Sequence, residues 1–179
     1  MSAKALIRSA IVEDAPACVA IYRPYVETTA ITFEIETPTS AEMATRIESA
    51  LATHEWLVLE RDGNVIGYAY AHPFGTRAAY QWSTETSIYI GAEYRHSGGG
   101  RKLYTQLLQR LKARGYHRAF AGITQPNEAS NNFHRSFGFE QVGLYRRVGW
   151  KHGRWHDIAW MQVDLVSTAH EDDPPRPVV

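Results

Sequence analysis

Cysteine is nearly missing from this chain: Cys18 is the one thiol among 179 residues. One thiol excludes an internal disulfide and a multi-thiolate zinc site, and fits a reducing, cytoplasmic compartment. Cys18 lies in an apolar helical pattern and reads as core. Charge of either sign is also not in excess, since 19 Lys+Arg balance 19 Asp+Glu. Composition therefore offers no basic footprint for nucleic acid or an anionic membrane surface. No apolar run approaches the roughly 20 residues of a membrane span. Met1-Ser2-Ala3-Lys4 carries no apolar export signal. There is no internal repeat. The length suits one domain, expected over residues 1–166, with a polar, proline-rich tail at 167–179.

What is present is a glycine turn, Arg95-His96-Ser97-Gly98-Gly99-Gly100. It follows the strand-like run Thr86-Ser87-Ile88-Tyr89-Ile90 and opens a helix-like run from Arg101 to Arg114. Glycines leave main-chain N–H groups free to close around an anion, and the helix behind adds unpaired donors and partial positive charge. The layout is that of a phosphate cradle. The Walker string Gly-x-x-x-x-Gly-Lys-Ser/Thr does not occur. A dinucleotide fingerprint would need a third glycine where Leu103 stands, and would follow the first strand rather than the fourth.

The remaining pattern predicts seven strands and four helices. Strands are expected at Leu6–Arg8, Trp56–Glu60, Val65–His72, Gln81–Ile90, Arg118–Thr124, Glu140–Trp150 and Trp155–Leu165. Asp62-Gly63 marks a hairpin. Glu13-Asp14 opens a first helix that carries Val19, Tyr22 and Val26. Thr39 and Glu42 form a capping box for a second, through about Ala52. Leu103, Leu107 and Leu111 give the third helix a buried face, and Gly115 stops it. Asn127 to Phe137 is the fourth. Parallel strands need helical crossovers, so a mixed α/β sheet with helices on both faces is expected.

The glycine turn also fits Gln/Arg-x-x-Gly-x-Gly/Ala through Arg95, Gly98 and Gly100. Asn127-x-x-Ser130, Phe133-His134 and Phe137-Gly138-Phe139 follow in order. Together these resemble the two motifs of the GCN5-related N-acetyltransferase (GNAT) superfamily. Scattered segments resemble its phosphinothricin N-acetyltransferase branch: Tyr25-Val26-Glu27-Thr28, Gly67-Tyr68-Ala69-Tyr70-Ala71, Arg77-Ala78-Ala79-Tyr80-x-Trp82, and Lys151-His152-Gly153-x-Trp155-His156-Asp157. His96 and Gly99 depart from the pattern, which often carries a basic and an apolar residue there.

The resemblance implies a mostly antiparallel twisted sheet splayed between the fourth and fifth strands. It implies acetyl-coenzyme A as co-substrate and a homodimer. The pantetheine arm would lie along Ile88, Tyr89 and Ile90, the pyrophosphate on Arg95 and the amides of His96, Ser97, Gly98, Gly99, Gly100 and Arg101, and Asn127 near the thioester. Glu85, a carboxylate inside a strand, is the candidate base; pairing with an arginine is its plain alternative. His134 is the candidate donor to the leaving thiolate, or an ordinary helix histidine. Arg77 would grip a substrate anion, with Tyr80 and Phe33 as walls, or all three serve surface and packing. His152 and His156 flank a turn with no completing cluster, so no metal is expected. The expected acceptor is a small amino acid analogue such as phosphinothricin, methionine sulfoximine or methionine sulfone. A protein N-terminus or polyamine, or non-catalytic acyl-CoA binding, are the alternatives.

Overall fold

The computed structural model describes residues 5–95 and 97–167. His96 and the expected tail residues 168–179 lie outside them. Among the described residues one sheet holds β1 (Ala5–Ser9), β2 (Trp56–Arg61), β3 (Asn64–Pro73), β4 (Ser83–Ile90), β5 (Arg118–Gln125), β6 (Glu140–Lys151) and β7 (Arg154–Asp164), in spatial order β1-β2-β3-β4-β5-β7-β6. Its α-helices are α1 (Ala15–Thr28), α2 (Ser40–Thr53), α3 (Gly99–Arg114) and α4 (Glu128–Arg135).

Alternation along the strands sorts the core into two layers. Leu57, Leu59, Ala69 and Ala71 pack with Leu103, Leu107 and Leu111 of α3 and with Phe133 of α4. Trp56, Val58 and Tyr68 pack with Cys18, Val19 and Tyr22 of α1 and Met43 and Ile47 of α2. Burying each such leucine contributes roughly 1.5–3 kcal/mol.

Local signals hold where chemistry is local. Thr39 Oγ1 accepts from Glu42 N at 3.2 Å while Glu42 Oε2 accepts from Thr39 N at 2.7 Å. Gly115 ends α3 with φ 100°. Several element starts differ from expectation by one or two residues, two of them beside functional groups. Asp14 forms a short 3-10 turn with Val12 and Glu13, and its carboxylate takes Arg8 Nη1 and Nη2 at 2.7 and 2.8 Å. Helix α3 starts at Gly99 rather than Arg101.

Every neighbouring pair is antiparallel except β4 and β5, which run parallel and pair only over Ser83–Arg118, Thr84–Ala119 and Glu85–Phe120. Beyond Glu85 the two strands part. At the fork the Phe120 carbonyl takes the Thr86 hydroxyl at 3.0 Å. That hydroxyl has one proton to give, so Tyr104 O–H donates to it at 2.7 Å. Thr86 and Tyr104 are both buried.

Candidate active site

The fork opens β4's outer edge. Gly91 N–H donates to Ile66 O, so the main chain of residues 85, 87 and 89 also turns toward β3. The alternate residues, Ile88 and Ile90, turn theirs into the opening. There the Tyr25 hydroxyl donates to Ile90 O at 2.7 Å. Tyr89 thus offers no main-chain edge to a ligand, contrary to expectation; its side chain packs on Tyr22 and Tyr25.

A cavity of about 560 Å³ runs from this edge to the glycine turn, lined by Ile88, Ile90, Gly98, Gly100 and Asn127 among others. Gly98 precedes α3 at φ 79°, a conformation that favours glycine. No described side chain caps that helix, so the first-turn N–H groups lack intrahelical partners. Arg95 lies over the Tyr25 ring at 5.0 Å, and Arg101 reaches Ser136 Oγ at 2.8 Å, so both arginines flank the turn. Asn127 caps α4 with its carbonyl oxygen, 3.1 Å from Ser130 N. The Ser97 hydroxyl donates to Tyr94 O at 2.7 Å, and a Cβ on Gly99 would stand 2.6 Å from Leu59.

On the opposite face a second cavity, about 380 Å³, gathers Glu85, Ser87 and Tyr89 from β4 with Phe33, Tyr70, His72 and Trp160. The odd residues of β4 line this pocket, while its even residues Ile88 and Ile90 line the cleft. The two meet through the fork, where Thr86, Ser87, Gly122 and Thr124 share a narrow space. Burial pushes the Glu85 carboxyl above its ordinary value, and the His72 ring, 3.9 Å away, works against that rise. Its described ion-pair partner is thus a histidine and not an arginine.

A loop between α1 and α2 roofs the pocket, and Lys151 straps it down. Lys151 is buried, and its Nζ donates to Thr32 O at 2.9 Å and Glu34 O at 2.8 Å. Phe33 lies over Gly149, where any Cβ would collide with its ring. His152 Nε2 bonds Thr29 O at 3.2 Å and His156 Nε2 bonds Lys151 O at 2.9 Å. The segment from Lys151 to Asp157 is therefore the fastening of the pocket roof.

The whole chain between residues 7 and 160 matches the model of the acetyltransferase (GNAT) domain. The chain belongs to the GNAT acetyltransferase family. It is 37% identical to a phosphinothricin N-acetyltransferase of Streptomyces viridochromogenes, over 96% of this chain and 92% of that one. It is 34% identical to an L-methionine sulfoximine/L-methionine sulfone acetyltransferase of Pseudomonas paraeruginosa, over 92% and 96%. Its structure matches the crystal structure of a GNAT superfamily phosphinothricin acetyltransferase from Sinorhizobium meliloti in complex with AcCoA, with TM-score 0.90, 36% identity, and 99% and 96% of the two chains covered.

Within this GNAT chain, two expected site residues fall elsewhere. Arg77 and Tyr80 line a separate cavity of about 400 Å³ with His54 and Tyr116. The connection after Pro73 carries them into that cavity, and neither lines the pocket that holds Glu85. His134 lines the narrow space at the fork, but in an unexpected form. Its Nδ1 stands 2.8 Å from Ser130 O, which only accepts, so Nδ1 carries the proton. Its Nε2 is buried without a partner among the described residues. Burial holds the imidazole below its ordinary pKa, against the pull of the Ser130 carbonyl. The neutral ring therefore accepts at Nε2, and donates to a thiolate only after gaining a proton. Tyr25, Thr86, His72 and Lys151 were not singled out as functional; Lys151 and Tyr25 stood inside motifs whose purpose only the fold reveals.

Proposed function

We propose that this chain is an acetyl-CoA-dependent N-acetyltransferase of a small amino acid analogue, with phosphinothricin, methionine sulfoximine and methionine sulfone as the acceptors to test first. One observation carries the reading: the fork in the sheet joins an anion-binding glycine turn to a pocket that holds a half-buried carboxylate. The residues fit acetyl-CoA. Gly98 and Gly100 leave the helix N-terminus open for the pyrophosphate, Arg95 and Arg101 add charge, and Ile88 offers main-chain bonds to the pantetheine arm. The bound co-substrate supplies an activated acyl group.

Glu85 takes the amine's proton, directly or through water. An α-amine with pKa about 8 is only about a tenth neutral at pH 7, so a positioned base contributes about 100- to 10,000-fold. The Ile88 N–H, free in the fork, is the donor best placed to polarise the acyl oxygen. His134 Nε2 takes a hydrogen bond from the thiol product rather than supplying its proton. Phe33 walls the acceptor; Arg77 and Tyr80 have no part in a single chain's pocket.

The assay mixes protein, acetyl-CoA and a thiol reagent with a panel of amines. Release of CoA with methionine sulfone or phosphinothricin supports the reading, and Glu85→Gln lowers kcat with little change in acetyl-CoA affinity. An unchanged rate in that variant removes Glu85 from the chemistry. A second reading has one observation behind it: the pocket is lined by Glu34 and Glu85 but by no arginine, which suits an acceptor without a carboxylate. A peptide with an N-terminal alanine, or a polyamine, belongs in the same panel.

We also place the enzyme in the cytoplasm as a homodimer, with residues 1–166 as its one domain, and expect it to confer phosphinothricin resistance. Buried Cys18 suits a reducing compartment. Among the described residues no helix is long and apolar enough to cross a membrane. Edge strand β6 and its neighbour expose Val142, Val148, Trp150 and Trp155, material for a self-complementary contact.

A further inference from the structure

The acceptor pocket holds a histidine, His72, that the chemistry above does not use. His72 and Glu85 are register partners on β3 and β4, so their side chains rise from the same face of the sheet. Both line the pocket. His72 Nδ1 is 3.1 Å from the Pro73 carbonyl, which only accepts, so Nδ1 carries a proton. In the neutral ring the bare lone pair is therefore on Nε2, and Nε2 is the atom 3.9 Å from Glu85 Oε2. Two lone-pair atoms facing each other at that separation are matched only when a proton lies between them. The gap exceeds a direct hydrogen bond and closes by a small rotamer change or one bridging water. Exposure runs the right way: the His72 side chain is 40% exposed and that of Glu85 26%.

We propose that His72 is the proton outlet of the acceptor pocket, a positioning and relay residue that clears Glu85 after each turnover. As nitrogen bonds the acyl carbon and the C–S bond breaks, the amine's proton goes to Glu85. Glu85 passes it to His72 Nε2, and the imidazolium releases one proton to water. The departing thiolate takes a proton from solvent, so the cycle closes with no net gain. The step rests on Glu85 being the base.

The other charged or titratable groups around the pair come from every neighbouring element. They are Tyr22 of α1, Glu34 of the roof loop with its partner Arg46 of α2, Tyr70 of β3, Tyr145 of β6, and His54 just before β2, whose own ionisation the His72 charge opposes. Arg46 already pairs with Glu34 at 2.7 Å, and the ring facing Glu85 is His72.

The experiment has two arms. In the first, kcat/KM is measured against pH for the native enzyme and His72→Gln. Without the imidazole, burial of Glu85 goes unopposed, so the acid limb moves to higher pH by about one unit, while acetyl-CoA affinity stays put. An unmoved limb overturns the relay. The second arm uses no substrate: 15N NMR of the ligand-free protein follows His72 Nε2 through the pH range. A protonated Nδ1 and an Nε2 shift that carries the Glu85 titration, lost in Glu85→Gln, support the pair. A protonated Nε2, or a shift blind to that substitution, overturns it. Should His72→Gln not fold, the NMR arm decides alone. If instead Glu85→Gln leaves turnover intact while the NMR coupling stands, the fault lies in the choice of base.

Discussion

The two faces of β4 make different kinds of site. The proposed cofactor cleft is lined mainly by the end of β4 at Ile88 and Ile90, the glycine turn and α4 from Asn127, with Tyr25 and Ile31 beside them. The acceptor pocket is built from side chains carried by α1, the roof loop and strands β3 to β7. A main-chain cradle needs only that side chains be absent and that a helix begin. A side-chain pocket needs distant segments to arrive together, so it is free to vary. Damage to the first should therefore show in acetyl-CoA binding, and damage to the second in amine binding. Each prediction below presses on that separation.

The largest expected effect is at Gly100. A Cβ there would meet Ile90 at 3.5 Å, an ordinary contact, so the fold accepts a side chain. A carboxylate at a helix N-terminus is even favourable for folding. Gly100→Asp nonetheless puts a negative charge where the pyrophosphate belongs. We expect acetyl-CoA binding to weaken by about 100-fold or more in calorimetry, with the melting temperature held or raised. Equal affinity would mean that the turn is not the phosphate cradle.

Lys151→Met tests the other face. Its Nζ is the charged donor to Thr32 O and Glu34 O, and methionine keeps the bulk without the donors. Loss of the strap should cost roughly 2 kcal/mol, a fall of about 6 °C in melting temperature. It should raise the KM for the amine about tenfold while calorimetry with acetyl-CoA is unchanged. A matching loss of acetyl-CoA affinity would show that the two sites are not separable.

The same contrast explains what the sequence disclosed. The glycine turn was legible because its cause is local: three glycines, a strand before and a helix after. Glu85 stood out in the sequence because a carboxylate inside a strand needs a reason. The face that each β4 residue serves followed only once the register to β3 was known, which is why Tyr89 was grouped with Ile88 and Ile90. Arg77 and Tyr80 were given pocket roles by the family resemblance, but the connection after Pro73 sets them in a cavity with His54 and Tyr116. The tautomer of His134 depends on the Ser130 carbonyl one helical turn away, visible only once α4 is built. Lys151 sits 117 residues from Glu34, and no periodicity reports a contact at that range.

A smaller effect is expected at Gly149, whose lack of a Cβ lets Phe33 lie flat against β6. Gly149→Ala obliges the ring to shift without removing any hydrogen bond. The amine KM should rise by about threefold, and larger acceptors should suffer least because the pocket widens. Steady-state kinetics over acceptors of graded size checks the order.

The smallest effect is at Tyr25, the residue that ties the two faces together. Its ring packs on Tyr89 at 5.0 Å on the acceptor side, while its hydroxyl holds the Ile90 carbonyl at 2.7 Å on the cleft side. Tyr25→Phe keeps the ring, and with it the platform for Arg95. Only the hydroxyl goes, so the loss is one part-buried hydrogen bond, about 0.5 kcal/mol, or roughly twofold in acetyl-CoA affinity. The amine KM should not move, because the ring packing is intact. Tyr25→Leu removes ring and hydroxyl together and should weaken both ligands. A Phe variant that loses amine binding as well would mean that β4 transmits strain from the cleft to the pocket, and that the two faces of one strand act as a single site.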